Sequence, residues 1–232
     1  MQRAVAIIPA RGGSKRIPKK NIKLFHGKPL IAYSIETALK SKLFDKVIVS
    51  TDDEEIAKIA KLYGAEVPFI RPKELSDDFT GTAAVIKHTL AFFKEQGYSI
   101  DFCCTIYATA PFLHVQYLKE GFEKLQDSNA AMAFSVTSMP FPVQRTFKIT
   151  SDQRCEMFYP EYFNTRSQDL EEAYQDAGQF YWENLNIHTD KIAFSSDSIP
   201  IVLPRYLVHD IDTLEDWKQA KLMYEVIKKD KF

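Results

Sequence analysis

Two short segments carry side chains whose types and spacing could do chemistry. The first is Ala10-Arg11-Gly12-Gly13-Ser14-Lys15-Arg16-Ile17-Pro18-Lys19-Lys20-Asn21. Adjacent glycines let the backbone turn tightly and approach a ligand closely. Successive backbone N–H groups in such a turn can form an anion-binding concavity. The segment follows Ala4–Pro9, an apolar run with the length of a buried strand, and the loop after a first strand borders the ligand crevice of a doubly wound sheet. It is neither the Gly-x-x-x-x-Gly-Lys-Ser/Thr of a Walker loop nor the Gly-x-Gly-x-x-Gly of dinucleotide enzymes. A solvated basic turn is the bland alternative. The apolar strand before it and the lack of neighbouring acids favour a phosphate site.

The second segment is His209-Asp210-Ile211-Asp212-Thr213. Side chains alternate on an extended chain, so Asp210 and Asp212 share a face. Two hard oxygen ligands without soft donors suit Mg²⁺, which keeps waters and takes substrate phosphates as further ligands. The competing reading is that Asp212 or Thr213 caps a following helix. On the residues alone the two readings are level.

These segments need a scaffold, and the pattern of the chain predicts one. Strand-like runs fall at Ala4–Pro9, Lys46–Ser50, Glu66–Ile70, Asp101–Ala108 and Ala130–Thr137. Helical patterns lie between them at Leu30–Leu43, Asp53–Tyr63, Gly81–Gln96 and His114–Gln126. Asp52-Asp53-Glu54-Glu55 suits the positive end of the second helix, and Gly64 suits its stop. Such alternation predicts an α/β, Rossmann-like, mostly parallel sheet with helices on both faces. The rhythm breaks at residues 139–175, which hold three prolines and many aromatics and read as a small inserted lobe within one domain of residues 1–232. It returns with a strand at Ala177–Glu183, another at Ile201–Leu203 and a closing helix at Thr213–Lys229.

Composition narrows the function classes. Apolar residues make up 45% and charged residues 26%, ordinary values for a soluble chain. No apolar run approaches the ~20 residues of a membrane helix, and the start is too short in apolar residues for a signal peptide. A cytoplasmic location is therefore expected, with no membrane partner. Cys103, Cys104 and Cys155 make no disulfide framework and no zinc spacing. The net charge is −1, but residues 1–35 hold no Asp or Glu and carry +8, leaving −9 for the remainder. That excess predicts a strongly anionic ligand at the N-terminal segment. Nucleic acid is not expected, since the rest of the chain is acidic and no nucleic-acid motif is present.

Ile8 through Asn21 resembles the signature of the acylneuraminate cytidylyltransferase family. The resemblance implies that this loop holds the triphosphate of CTP. Arg11, Ser14, Lys15 and Lys20 would meet phosphate, Asn21 would lie near the ribose or phosphate, and Ala10, Gly12 and Gly13 would belong to the same CTP site. Asp210-Ile211-Asp212-Thr213 is similar to the family's metal-carrying segment, which tips the doublet toward Mg²⁺. Arg71-Pro72-x-x-Leu75, followed by Asp77-Asp78-x-Thr80-Gly81-Thr82, resembles the family's stretch near cytosine and ribose. Arg71 there offers a planar donor fork, with a surface ion pair as its alternative, and Thr80 and Thr82 join the CTP site.

Two departures bear on the sugar. Tyr107-Ala108-Thr109-Ala110-Pro111-Phe112 stands where sialic acid enzymes have Gln-Pro-Thr-Ser-Pro-Leu. Tyr174 through Trp182 resembles Tyr-x-x-Asn-Gly-x-x-Tyr, with Ala177 replacing Asn. Both are similar to the pseudaminic acid branch of the family. The resemblance implies sugar contacts from Tyr107, Thr109, Arg166, Tyr174, Gln179 and Tyr181, although each aromatic could equally be core. A 2-keto acid carboxylate needs a cation, best a bidentate Arg; Arg145, Lys148, Arg154 and Arg166 are available in the lobe, and the residues do not choose among them. The lobe also carries Phe141, Phe147, Phe158, Tyr159, Tyr162 and Phe163, which suit an interface and imply a homodimer through residues 139–175.

The activity so implied is transfer of CMP from CTP to the anomeric hydroxyl of a nonulosonic acid, pseudaminic acid foremost, with release of pyrophosphate. Arg11, Lys20, Asp210 and Asp212 would be catalytic. Sialate and legionaminate are near alternatives. 3-Deoxy-octulosonate follows, since its enzymes carry a Gly-Asp-Glu-Pro type of segment that is absent here. An Asp-x-Asp glycosyltransferase and a non-catalytic nucleotide-binding module are the rivals from other classes.

Overall fold

The computed structural model describes residues 2–187 and 193–230. The chain opens with β1 (Ala4–Pro9), buried along nearly its whole length, as expected of a strand covered on both sides. A short arm, β2 (Leu24–Phe25) and β3 (Lys28–Pro29), leads into α1 (Leu30–Ser41). Then come β4 (Lys46–Ser50), α2 (Glu54–Leu62), α3 (Thr82–Glu95), β5 (Phe102–Ile106), α4 (Val115–Gln126) and β6 (Met132–Ser138). The last part contains β7 (Phe147–Ile149), β8 (Cys155–Met157), β9 (Tyr174–Asn184), β10 (Ser198–Val202) and α5 (Leu214–Asp230).

Six strands form the central sheet in the order β10-β6-β9-β5-β1-β4. β1 runs parallel to β4 and β5, and β10 parallel to β6. Only β9 is antiparallel to its neighbours, β5 and β6. The period-two pattern of β1 divides the core. Ala4, Ala6 and Ile8 face the layer of α1, α2 and α4 through Ile31, Ile35, Ile56 and Leu118. Val5 and Ile7 face α3 through Ile86 and Phe93. The expected α/β, mostly parallel sheet with helices on both faces is the architecture observed.

α5 leaves the sheet and packs on the β2–β3 arm and the head of α1. Its Trp217 and Ala220 are buried against Phe25, Leu30, Tyr33 and Phe112. The Phe25 ring meets Tyr33, Phe112, Trp217 and Tyr224 edge to face, a geometry that adds to area burial. Burying a Phe of this kind stabilises by about 1.5–3 kcal/mol. This cluster fixes where α5 begins, and so where residues 210–212 sit relative to the N-terminal loop.

Two expectations change. The run Glu66–Ile70 is not a strand; Glu66 makes one isolated bridge with Ile48, and Pro68, lacking an N–H, cannot extend the ladder. The strand expected at Ala177–Glu183 spans Tyr174–Asn184 and is antiparallel, because no helical crossover precedes it. It also carries a register shift opposite Phe134 and Val136, where Gly178 takes φ +61, as glycine does in a bulge. The segment 139–175 is ordered into the β7–β8 hairpin and short 3-10 turns. Arg145 organises it by donating to the carbonyls of Phe163, at 3.0 Å, and Thr165. Cys103 and Cys104 are core residues with no bond between them, and burial holds both thiols protonated.

Candidate active site

Parallel strands deliver their following loops to one edge of the sheet. Here β1 delivers Arg11–Asn21, β4 delivers Thr51 and Asp52, and β5 delivers Tyr107–Thr109. The loops after β1 and β5, with residues 71–82 and 210–212, line a cleft of about 600 Å³. Its N-terminal wall is Arg11, Ser14, Lys15, Arg16, Lys20 and Asn21. Arg71, Asp77, Asp78, Thr80 and Thr82 from residues 71–82, Tyr107 and Thr109 after β5, and Asp210 and Asp212 complete the lining.

The two chemistry-bearing segments therefore meet. Lys20 Nζ donates to the Ile211 carbonyl at 2.7 Å and to Asp212 Oδ1 at 3.1 Å. Arg16 pairs with Asp212 Oδ2 at 2.7 Å. The capping alternative for Asp212 is filled by other side chains. Asp216 Oδ2 accepts from the N–H and Oγ1 of Thr213, and Thr213 Oγ1 accepts from Asp216 N. This is a reciprocal N-terminal cap, so neither carboxylate of the doublet is used to cap α5, and both residues line the cleft. Asp210 has no hydrogen-bond or ion-pair partner among the described residues. Partial desolvation by its surroundings, followed by repulsion from Asp212, raises its pKa above the ordinary carboxylate value, with Lys20 pulling the other way.

The loop itself is held from behind. Gly12 N donates to Asp52 Oδ1 at 2.9 Å, Ser14 N to the Gly12 carbonyl, and Asn21 Nδ2 to the Arg11 carbonyl at 3.0 Å. At least two backbone N–H groups of the expected anion concavity are thus spent inside the protein, and side-chain cations make up the anion-facing surface. Asn21 is a buried brace of the loop. Ala10 is buried, and Gly12 and Gly13 lie outside the cleft lining. Arg71 is only 4% exposed. It donates to Ser76 at 3.1 Å and lies 3.6 Å from Asp52, which links the loop, the end of β4 and residues 71–76.

One expectation is corrected outright. The cations of residues 11–20 do not lack counter-charges: Arg11 and Lys15 pair with Asp78, Arg16 and Lys20 with Asp212, and Lys19 with Glu55. Asp78 and Glu55 are the counter-charges that sequence reasoning did not connect to the loop, and Asp52, read only as a helix-end charge, accepts from Gly12 N. The only signal for Asp52 and Asp78 was an acidic position just after a predicted strand or within the Arg71–Thr82 stretch.

Of the implied sugar contacts, Tyr107 and Thr109 line the cleft. Tyr181 stands 5.5 Å from the Tyr107 ring and donates to Asp176 at 2.6 Å. Gln179 is buried, and its Nε2 donates to the Leu207 carbonyl at 2.6 Å. Arg166 pairs with Asp169, and Tyr174 is exposed and donates to Glu172; neither lines the cleft of this chain. Arg145 is spent on lobe carbonyls and Lys148 on Glu156.

A mostly parallel α/β sheet with a cation-walled cleft and a carboxylate pair at its strand ends defines a Rossmann-like nucleotide-binding fold. Comparison with known proteins gives the family. Residues 5–202 match the model described as Cytidylyltransferase. The chain is 45% identical to pseudaminic acid cytidylyltransferase of Campylobacter jejuni subsp. jejuni serotype O:2, covering 96% of both chains. It is 30% identical to CMP-N,N'-diacetyllegionaminic acid synthase of Legionella pneumophila, covering 97% of both. The solved structure of CMP:2-keto-3-deoxy-manno-octonic acid synthetase complexed with CTP superposes with a TM-score of 0.68, over 97% of this chain and 99% of the other. At 15% identity that likeness speaks for the fold alone. The chain belongs to the cytidylyltransferase family.

Proposed function

We propose that this chain transfers CMP from CTP to the anomeric hydroxyl of a nine-carbon 2-keto sugar acid, pseudaminic acid, and releases pyrophosphate. The observation that carries the reading is the meeting of Lys20 with Ile211 and Asp212 across one cleft. The high identity to a pseudaminic acid cytidylyltransferase over nearly its full length supports the choice of sugar.

The reaction is in-line attack of the sugar hydroxyl on the α-phosphorus. One P–O bond forms as the hydroxyl proton passes to solvent, the bond from the α-phosphorus to the oxygen bridging to the β-phosphate breaks, and pyrophosphate leaves with that electron pair. Such chemistry asks a protein mainly for positioning and charge neutralisation. Arg11, Lys15 and Lys20 face the departing charge. Thr80 and Thr82 offer hydroxyls to the same cleft, and Tyr107 and Thr109 line it where the sugar would lie. Asp210 and Asp212 fit a hard cation: they are adjacent carboxylates on one face, and Asp210 is unpaired. Among the described residues no group of three or more His, Cys, Asp or Glu side chains is placed to hold a metal, so a cation here depends on phosphate oxygens for further ligands. Bound there, Mg²⁺ would supply neutralisation of phosphate charge.

The lobe's exposed Phe141, Phe147, Ile149, Phe158 and Phe163 support a homodimer formed through residues 139–175. Solution mass should read two chains in the native protein, and Phe158→Glu with Phe163→Glu should reduce it to one; a native monomer removes the reading. For the activity, the chain is incubated with CTP, Mg²⁺ and a panel of nonulosonic acids while pyrophosphate is measured. The expected result is fastest release with pseudaminic acid. Release with none of them would reject the assignment, and consumption of a CMP-sugar without pyrophosphate would favour a glycosyltransferase.

A further inference from the structure

The cations facing the proposed triphosphate are already bonded to carboxylates of this same chain. Arg11 Nη1 donates to Asp78 Oδ1 at 2.7 Å and to the Asp77 carbonyl at 2.8 Å, and Lys15 Nζ pairs with the other oxygen of Asp78. Asp78 thus engages two cations at once with its two oxygens, as a phosphate would. It is held there by a turn in which Asp77 Oδ1 accepts from Phe79 N at 3.0 Å and Thr80 N at 2.7 Å. The next side chain, Phe79, is 94% exposed at the tip. The turn is tied to residues 71–76 by Thr80 Oγ1, which donates to the Glu74 carbonyl at 3.2 Å, and to the N-terminal loop by Arg11 and Lys15. The proximity of both cations also holds the Asp78 carboxyl below its ordinary pKa, which keeps it charged across the physiological range.

We propose that Asp78 is an internal competitor for the triphosphate: it occupies Arg11 and Lys15 in the free protein, is displaced by CTP, and returns to help expel pyrophosphate. The inference rests on the reading of the Arg11–Asn21 loop as the triphosphate site. A carboxylate left beside a polyanion repels it in proportion to the anion's charge, so the effect must grow from CMP to pyrophosphate and CTP. The pairs are partly exposed, and exposed pairs are weak. Asp78 therefore tunes affinity and release; it does not block the site. Because Asp78 acts through Arg11 and Lys15, it is a positioning residue and takes no part in bond making.

The test measures dissociation constants for CMP, CTP and pyrophosphate, with Mg²⁺ present, in native protein, Asp78→Asn, Asp78→Glu and Arg11→Ala. Asp78→Asn should tighten CTP and pyrophosphate by about three- to tenfold, as expected for loss of two weak pairs and one repelling charge. CMP should tighten less, and product inhibition by pyrophosphate should strengthen in step. Asp78→Glu, which keeps the charge, should stay within about twofold of native. Unchanged or weaker pyrophosphate binding in Asp78→Asn overturns the proposal, as does equal tightening of all three ligands or equal tightening by Asp78→Glu. Arg11→Ala separates the two layers. If it weakens CTP while Asp78→Asn tightens nothing, only the competitor role falls; if it leaves CTP and pyrophosphate binding unchanged, the triphosphate reading of the loop falls, and the competitor role with it.

Discussion

Gly12→Ala should damage the protein through a single side-chain clash, and the structure gives its size. A Cβ at residue 12 would lie 2.7 Å from Asp53 Oδ2, 2.9 Å from Asp53 Cβ and 3.2 Å from Asp53 Cγ. Asp53 cannot simply turn away, because its Oδ1 caps α2 by accepting from Glu55 N at 2.8 Å and Ile56 N at 3.0 Å. Either the cap breaks, at about 0.5–2 kcal/mol, or the loop moves, and overpacking of this kind costs about 1–3 kcal/mol. A loop that moves also loosens Gly12 N from Asp52, and Asp52 from Arg71. For a chain of this length about 2–4 °C of melting temperature corresponds to 1 kcal/mol, so Gly12→Ala should melt roughly 2–10 °C lower and bind CTP more weakly. The decisive arm is the double variant with Asp53→Gly. Asp53→Gly alone should cost only a few tenths of a kcal/mol, and it removes every atom the new Cβ would strike. The two substitutions should therefore be strongly non-additive, with thermal stability and CTP binding mostly restored. Additive losses in melting experiments, or a Gly12→Ala protein with native melting and native CTP binding, would refute the steric argument.

Other outcomes follow from the same geometry. Asp210→Asn and Asp212→Asn should each lower kcat by about a hundredfold or more, with circular dichroism and melting near native; near-native turnover would remove the doublet from the chemistry. Glu183 on β9 has no hydrogen-bond or ion-pair partner among the described residues, and burial raises its pKa. A raised folded-state pKa means that its charge opposes folding fully above that pKa and not at all below the unfolded carboxylate value. Glu183→Gln should accordingly raise the melting temperature at pH 8, and the gain should vanish in the acid range; a gain independent of pH would contradict the linkage. Tyr107→Gln combined with Ala177→Asn should shift kcat/KM from pseudaminic acid toward sialic acid in a competition assay, and an unchanged preference would place sugar selection elsewhere.

The scaffold was legible where local patterns and burial agree. β1 and β4 fell on the expected residues because both are short, apolar runs buried on both faces, and α1 through α4 fell within a residue or two because their apolar faces repeat with helical period. Glu66–Ile70 misled for the opposite reason: its residues suit a strand, but Pro68 supplies no donor and only Glu66 reaches the sheet. The direction of β9 was not legible, since strand pattern carries no sign of parallel or antiparallel pairing.

The site shows the same boundary between local and distant information. A glycine turn rich in cations and an acidic doublet can each be read within a dozen residues, and the cleft brings them together. What could not be read locally is which acid meets which cation. The charge excess of residues 1–35 looks unbalanced in sequence, yet Arg11 and Lys15 find Asp78, and Arg16 and Lys20 find Asp212. Their sequence separations run from 63 residues for Lys15 and Asp78 to 196 for Arg16 and Asp212. The absence of neighbouring acids therefore does not mark a binding site by leaving cations bare. For Arg11, Lys15, Arg16 and Lys20 the counter-charges, Asp78 and Asp212, lie on other loops, whereas those of Lys19 and Lys28, Glu55 and Glu36, lie on helices. An anion that competes for Arg11 or Lys20 displaces a side chain across a cleft; it does not disrupt a helix or a strand. That separation is what would let the basic loop, in the proposed role, bind and release a triphosphate.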